Sequence, residues 1–382
     1  MRRTLFDAEH EQYRSSVRAF LEREVVPRDH EFEEAGIIDR EVFRRAGDHG
    51  FLGFAVPEAY GGGGTRDFRF NAILGEETQA LGLASVGLGL TLHTDICLPY
   101  FLDLTNDDQK ARWLPGIASG ELITAVAMTE PGAGSDLAGI GTTAVRDGDD
   151  FVVNGAKTFV TNGINADIVI VAVKTDPSAR HAGISLVVVE RDMPGFVRGR
   201  NLDKIGMHGQ DTAELFFDDV RVPAANLLGT EGQGFRHLTT NLAQERLSMA
   251  VAGVAAARAA LDWTVAYCRE RTAFGSPIGT FQNSKFRLAE LATEVAVGQA
   301  FVDQSITAHN QRELGAEEAA MAKLWCTELQ GRAVDLGVQL HGGYGFMHEY
   351  PIARAFTNAR ITRIYGGTSE IMKEIIGRSL GF

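Results

Sequence analysis

A mainly α fold with a central β domain is what this sequence predicts, and three observations carry the prediction. Apolar residues recur at three- and four-residue steps over the first third of the chain. Short β-branched runs beside turn dipeptides fill the middle, and the three-and-four period then returns and lasts to the C-terminus. The expected divisions are an N-terminal helical domain over 1–120, a middle β domain over 121–234 and a C-terminal helical bundle over 235–382.

In chain order, Phe6, Tyr13, Val17, Phe20, Leu21 and Val25 share one helix face, and Pro27 closes that segment because proline has no N–H to continue the ladder. The loop VPEAYGGGG, 56–64, breaks the first region into helical pieces. In the middle region 168–173 and 184–189 read as strands. Asn154-Gly155 and Asn162-Gly163 read as turns beside them, since both residue types tolerate left-handed backbone. Near the C-terminus Leu288, Leu291, Val295, Gly298, Val302 and Ile306 line one face of a helix.

Composition narrows the function. A chain of 382 residues is long enough for two or three domains. Its 50 acidic against 37 basic side chains, a formal charge of -13, argue against a nucleic-acid surface, where clustered Lys and Arg dominate. Cys97, Cys268 and Cys326 are far apart, with no CxxC or Cys/His spacing. Neither a disulfide framework nor a metal site is expected, and the pattern suits a reducing cytoplasm. No signal peptide is expected, and the uncharged run 80–93 is shorter than the roughly 18 apolar residues a membrane span requires.

Six motifs carry chemistry. AVAMTEPGAGSDLAG, 125–139, places Gly132, Gly134 and Gly139 at a spacing that is not GxGxxG, and no crossover helix follows, so a dinucleotide fingerprint is not indicated. A plain surface turn is one reading. The other is a loop whose Thr129, Ser135 and closely spaced N–H groups line an anion or a polar ring edge, with glycines removing obstruction. KTFVTNG, 157–163, sets Phe159 in a strand, where an aromatic ordinarily belongs to a core. RERTAFGSPIGTFQ, 269–282, and QLHGGYGF, 339–346, flank helices of the C-terminal bundle. In LAQERLSMA, 242–250, Glu245 shares its helix face with Leu242, Met249, Ala252 and Ala256, so it points with apolar residues. A mid-helix Glu beside Arg is usually a solvated pair, but a partly desolvated one has a raised pKa, suited to taking a proton from carbon.

The run IYGGTSEIM, 364–372, resembles the C-terminal active-site signature of the acyl-CoA dehydrogenases with one change. Gly366 stands where most of that family has the catalytic Glu, and Glu245 stands, beside Arg246, where isovaleryl and long-chain members place it. The helix–β–helix order fits the same family, whose fold is an N-terminal helical domain, a small β-barrel-like domain and a C-terminal four-helix bundle. The resemblance spans essentially the whole chain and implies FAD-dependent α,β-dehydrogenation of an acyl thioester. Glu245 takes the α proton while the β hydrogen leaves as hydride to flavin N5. The Gly366 backbone N–H polarises the thioester carbonyl, a role that survives loss of the Glu side chain.

The resemblance assigns Met128, Thr129, Gly134 and Ser135 to the flavin and its pyrophosphate, Phe159 and Thr161 to the isoalloxazine, and Thr368 and Glu370 to the flavin's neighbourhood. Many members have Trp at the place of Phe159. Ser135, Arg246, Gly366 and Gly367 would face substrate. Arg271, Phe274 and Gln282, with Gln339, Gly342 and Gly343 at the adenine end, match positions that reach the FAD of a neighbouring subunit. A homo-oligomer is therefore implied, a tetramer in the family's usual form, with an electron-transfer flavoprotein as acceptor. Carrier-protein-bound thioesters, acyl-CoA oxidases and flavin-dependent hydroxylases are alternatives on the same scaffold. Glu245 is common to branched short-chain and straight long-chain members and does not select between them.

Overall fold

The computed structural model describes residues 3–382, and the helix–β–helix order holds. Helix α1, Ala8–Phe20, starts at Asp7 with a capping box to His10 and buries Tyr13, Val17 and Phe20. A π-turn, Leu21–Val25, and a 3-10 turn, Val26–Arg28, follow, so the regular ladder ends at Phe20, and Pro27, expected to close the segment, sits inside a helical run that continues into the next helix. Then come α2, Asp29–Ala35, α3, Arg40–Asp48, and the irregular loop around Glu58–Tyr60. Four more helices complete the N-terminal part: α4, Phe68–Ala80, α5, Ala84–Thr91, α6, Leu98–Asp103, and α7, Asp107–Ser119. Between α5 and α6 the backbone widens into a second π-turn, Leu92–Cys97. Such turns disturb the hydrogen-bond ladder and occur often at functional sites.

The middle part is one mixed sheet that stays open, not a closed barrel. Its strands are β1, Thr124–Ala127, β2, Thr143–Asp147, β3, Asp150–Thr161, β4, Ile168–Lys174, β5, Ile184–Glu190, β6, Phe196–Asn201, β7, Thr212–Pro223, and β8, Leu227–Leu228. They run in the order β6-β7-β3-β2-β4-β5-β8, with β1 parallel to β4. Strands β4 and β5 are buried nearly end to end, which explains their unbroken apolar sequence.

Asn162-Gly163 does turn the chain, with Asn162 at φ +59°. Asn154-Gly155 does not: it lies inside β3. The partner strand continues on both sides of it and absorbs an extra residue, with Asp219 at φ +50°. The Asn154 side chain holds this bulge by donating to Asp219 Oδ1 (2.8 Å) and accepting the Asp219 N–H (2.9 Å). A Cβ on Gly155 would stand 2.5 Å from Thr142 Oγ1, so glycine serves close approach there.

The C-terminal part consists of three long helices, α8, Gly234–Glu270, α9, Gln282–Asn310, and α10, Ala316–His341, with α11, Pro351–Ala359, and α12, Ser369–Ser379, packed on α10. Leu291, Val295, Gly298, Val302 and Ile306 are buried as expected, and Leu288 is partly so. Helix α8 is long and apolar enough to cross a membrane by composition, yet most of that stretch is buried between α4, α9 and α10. The N-terminal helices and the bundle share a core in which Phe68 and Ala72 meet Leu247 and Val251. The first half of α8 is thus the place where the parts converge.

Candidate active site

Glu245 sits in this half of α8 at 3% exposure. The helix docks there on the second π-turn. Gln244 donates to the Asp95 carbonyl (2.7 Å), Asn241 to the Ile96 carbonyl (3.0 Å), and the Ser248 hydroxyl to the Asp95 carboxylate. Tyr100, on α6 just past the π-turn, donates to Glu245 Oε1 at 3.0 Å, and Asn241 adds a second donor at 3.2 Å. Burial pushes the carboxyl up to about 7, with the two donors and Arg246 opposing. No cation forms an ion pair with it among the described residues; its direct partners are the phenol and the amide. A carboxylate poised near neutrality is what proton abstraction from carbon needs.

The signature loop comes against the same helix face. Gly366 (φ +61°) and Gly367 (φ +98°) take backbone conformations that favour glycine. A Cβ on Gly366 would lie 2.2 Å from Met249 Cε, one helical turn beyond Glu245. The flexible end of Met249 thus lies where the Cβ of a Glu at 366 would stand. Thr368 caps α12 by accepting the Ile371 N–H, and Glu370 lies in the first turn of that helix, where a carboxylate is favoured. Arg246 is buried with its Nε unpartnered, and burial lowers its pKa.

Sequence reasoning missed three residues here. Tyr100 gave no signal, because nothing local ties α6 to α8. Asn241 is one turn before Glu245 and was readable only once that Glu was assigned. Lys323 did give a signal, lying in register with Ala319, Cys326 and Gln330 on the buried stripe of α10. It is fully buried, donates to the Gly367 carbonyl at 2.5 Å, and burial pulls its pKa down to about 8.

The loop 128–135 lies on the sheet side. Buried Lys157 donates to the Met128 carbonyl (3.1 Å) and to Glu130 (2.7 Å), and the Thr158 N–H bonds the Thr129 carbonyl. Glu130 in turn accepts the N–H groups of Gly141 and Thr142, so the base of the loop is tied down. Its tip is open: a Cβ on Gly132 or Gly134 would meet nothing within 4 Å, and Ser135 is exposed. A second bulge, in β3 between Lys157 and Val160, sets Phe159 at φ +59° and turns its ring out, 67% exposed. Phe159 is therefore not a core aromatic. Thr161, two residues on, is half-buried at the end of the strand.

Arg271, Phe274, Gln282, Gln339, Gly342 and Gly343 gather elsewhere, all exposed, at the far end of the bundle. Tyr267 on α8 donates to the His341 carbonyl and joins the two groups at that end. From Glu245 to the end of α8 the helix rises roughly 37 Å, so one chain does not bring these residues to Glu245. Phe274 is 98% exposed at φ +53°.

Three family models match the chain in sequence: acyl-CoA dehydrogenase N-terminal domain over 7–121, middle domain over 125–220 and C-terminal domain over 232–381. The chain belongs to the acyl-CoA dehydrogenase family. It is an oxidoreductase of that family, whose chemistry is flavin-dependent dehydrogenation of acyl-CoA. It is 47% identical over 380 residues to a mitochondrial long-chain specific acyl-CoA dehydrogenase of Sus scrofa, covering 99% of this chain and 88% of that one. Against the mitochondrial isovaleryl-CoA dehydrogenase of Pongo abelii identity is 36%, over 97% of this chain and 88% of the other. The crystal structure of acyl-CoA dehydrogenase from Geobacillus kaustophilus superposes with a TM-score of 0.97 at 51% identity, covering 99% of each chain.

Proposed function

We propose that this acyl-CoA dehydrogenase uses FAD to convert an acyl-CoA to the trans-2-enoyl-CoA, with Glu245 as the base. The observation that carries this reading is a buried carboxylate, held by neutral donors and no ion-paired cation, on the helix face that meets Gly366. Its basicity is matched to neutral pH, and in the reading it removes the α proton. The Gly366 N–H donates to the thioester carbonyl as enolate charge grows, and the Lys323 cation, which holds the Gly367 carbonyl, favours that charge from behind the loop. Arg246, Gly367 and Ser135 complete the substrate's surroundings.

The residues fit a flavin. The open tip at Gly132 and Gly134 admits a phosphate-bearing ligand, with Met128, Thr129 and Ser135 around it, and outward-turned Phe159 offers a stacking face beside Thr161. Bound FAD supplies the hydride acceptor. Thr368 and Glu370 close the flavin side of the signature loop. Arg271, Phe274, Gln282, Gln339, Gly342 and Gly343 are assigned to a neighbour's FAD, so the working form is at least a dimer and in this reading a tetramer. The length of α8 and the exposure of Phe274 support that assignment. Electrons then pass to an electron-transfer flavoprotein. A cytoplasmic location is part of the proposal, supported by three buried, unpaired cysteines.

The test is anaerobic spectral titration of FAD-loaded protein with acyl-CoAs of varied length and branching, long straight chains first because of the long-chain relative. Bleaching of the oxidised flavin by one class supports the reading and identifies the substrate. A flavin that dithionite bleaches and no acyl-CoA does would redirect it to a carrier-protein thioester or to oxidase or hydroxylase chemistry.

A further inference from the structure

Glu245 is held asymmetrically. Oε1 accepts from both Tyr100 (3.0 Å) and Asn241 (3.2 Å), whereas Oε2 has no partner among the described residues and is not among the fully enclosed atoms. The two donors are themselves fixed. Tyr100 is 2% exposed in a core with Cys97, Phe101 and Trp113, and Asn241 is anchored on the Ile96 carbonyl.

We propose that Tyr100 is a positioning residue for the base: with Asn241 it engages Oε1, leaves Oε2 as the oxygen that receives the substrate proton, and sets the basicity of the carboxylate. This rests on Glu245 being the base. A carboxylate free to rotate would present either oxygen in many directions, and orientation of the reacting atom is a large part of rate. A donor on Oε1 also stabilises the charged form, so removing it makes the group harder to deprotonate.

The titratable and charged groups acting on Glu245 are few. Cys97 and Tyr100 face it from the π-turn and α6, both pushed up by burial and hence neutral. Arg246 acts from its own helix, and in the signature loop Gly366 and Gly367 carry nothing titratable while Tyr365 beside them is pushed up by burial and hence neutral. Tyr100 therefore stays a proton donor across the working pH range, and among the described residues its hydroxyl is the one hydrogen-bond donor from another element that reaches the carboxylate directly.

The experiment is Tyr100→Phe in the FAD-loaded oligomer, with Glu245→Gln as reference. The expected result is a kcat lowered about tenfold or more with KM within about twofold, and an acidic limb of kcat/KM moved up by about one pH unit, the size of one charge-assisted hydrogen bond. Infrared difference titration of the Glu245 carboxyl, taken against Glu245→Gln, is to show the same upward shift without turnover. If Tyr100→Phe fails to fold, fluorotyrosine placed at position 100 strengthens the donor and is expected to move both curves down. Wild-type acidic limb and carboxyl titration in a folded, flavin-loaded variant would overturn the inference. Full turnover by Glu245→Gln would overturn the assignment of the base instead, so the two failures are distinct.

Discussion

Two places in this molecule bury glutamates to the same depth and give them opposite kinds of partner. In the cleft between the N-terminal helices and the bundle, Glu76 and Glu77 are 7% and 3% exposed, yet Arg3, Arg14 and Arg18 close on them at 2.5–2.8 Å. On α8 Glu245 is 3% exposed and meets a phenol and an amide. Burial alone does not make a base. Burial without an ion-paired cation does, because desolvation then goes largely uncompensated and the carboxylate binds protons more tightly.

The comparison breaks first on activity. Glu245→Gln is expected to lower kcat by about 10³-fold or more, while Glu77→Gln leaves kcat near wild type; stopped-flow flavin reduction reads both. Returning the base to the signature loop is the next test. Gly366→Glu places a side chain within 2.2 Å of Met249 on a backbone at φ +61°, so the single variant is expected to lose about 10²-fold or more and to lose soluble yield. Adding Met249→Ala should recover part of the yield. Lys323→Met releases the Gly367 carbonyl and is expected to cost about 10- to 100-fold in kcat/KM with FAD content retained, as measured by flavin absorbance.

The pH dependence sharpens the contrast. With Glu245 pushed up to about 7, kcat/KM should rise with pH to a plateau, its midpoint near 7, and that limb should vanish in Glu245→Gln. Stability carries the opposite sign. The folded protein holds this proton more tightly than the unfolded chain, so the group's favourable contribution is full below about 4.5 and is lost as pH rises through about 7. Glu245→Gln should therefore raise Tm at pH 8 by a few degrees and change it little at pH 5. Glu77→Gln, which removes the 2.6 Å partner of Arg18 and one of the two carboxylates that Arg14 grips, should lower Tm by a similar amount at pH 8. Scanning calorimetry at both pH values checks the pair.

Much of this was legible in the residues. The α8 face of Glu245 and the Gly-Gly of the signature loop were readable because helix period and glycine content are local properties. The stripe on α9 was readable for the same reason. Other features were not. Asn154-Gly155 carries the composition of a turn but became the straight side of a bulge, because β7, sixty residues away, continues past it. Phe159 carries the composition of a core strand but was turned outward by the second bulge.

The sequence by itself determined which elements form, that a carboxylate stands on an apolar helix face, and that the signature loop lacks one. Only the tertiary structure decided that Tyr100 from α6 and Asn241 bind the same oxygen, that Lys323 holds Gly367, and that the end of Met249 packs against Gly366. The physical reason is range. Helix period and glycine freedom act within a few residues, whereas desolvation, hydrogen-bond partnership and steric exclusion depend on atoms that chain folding brings in from 44 to 145 residues away.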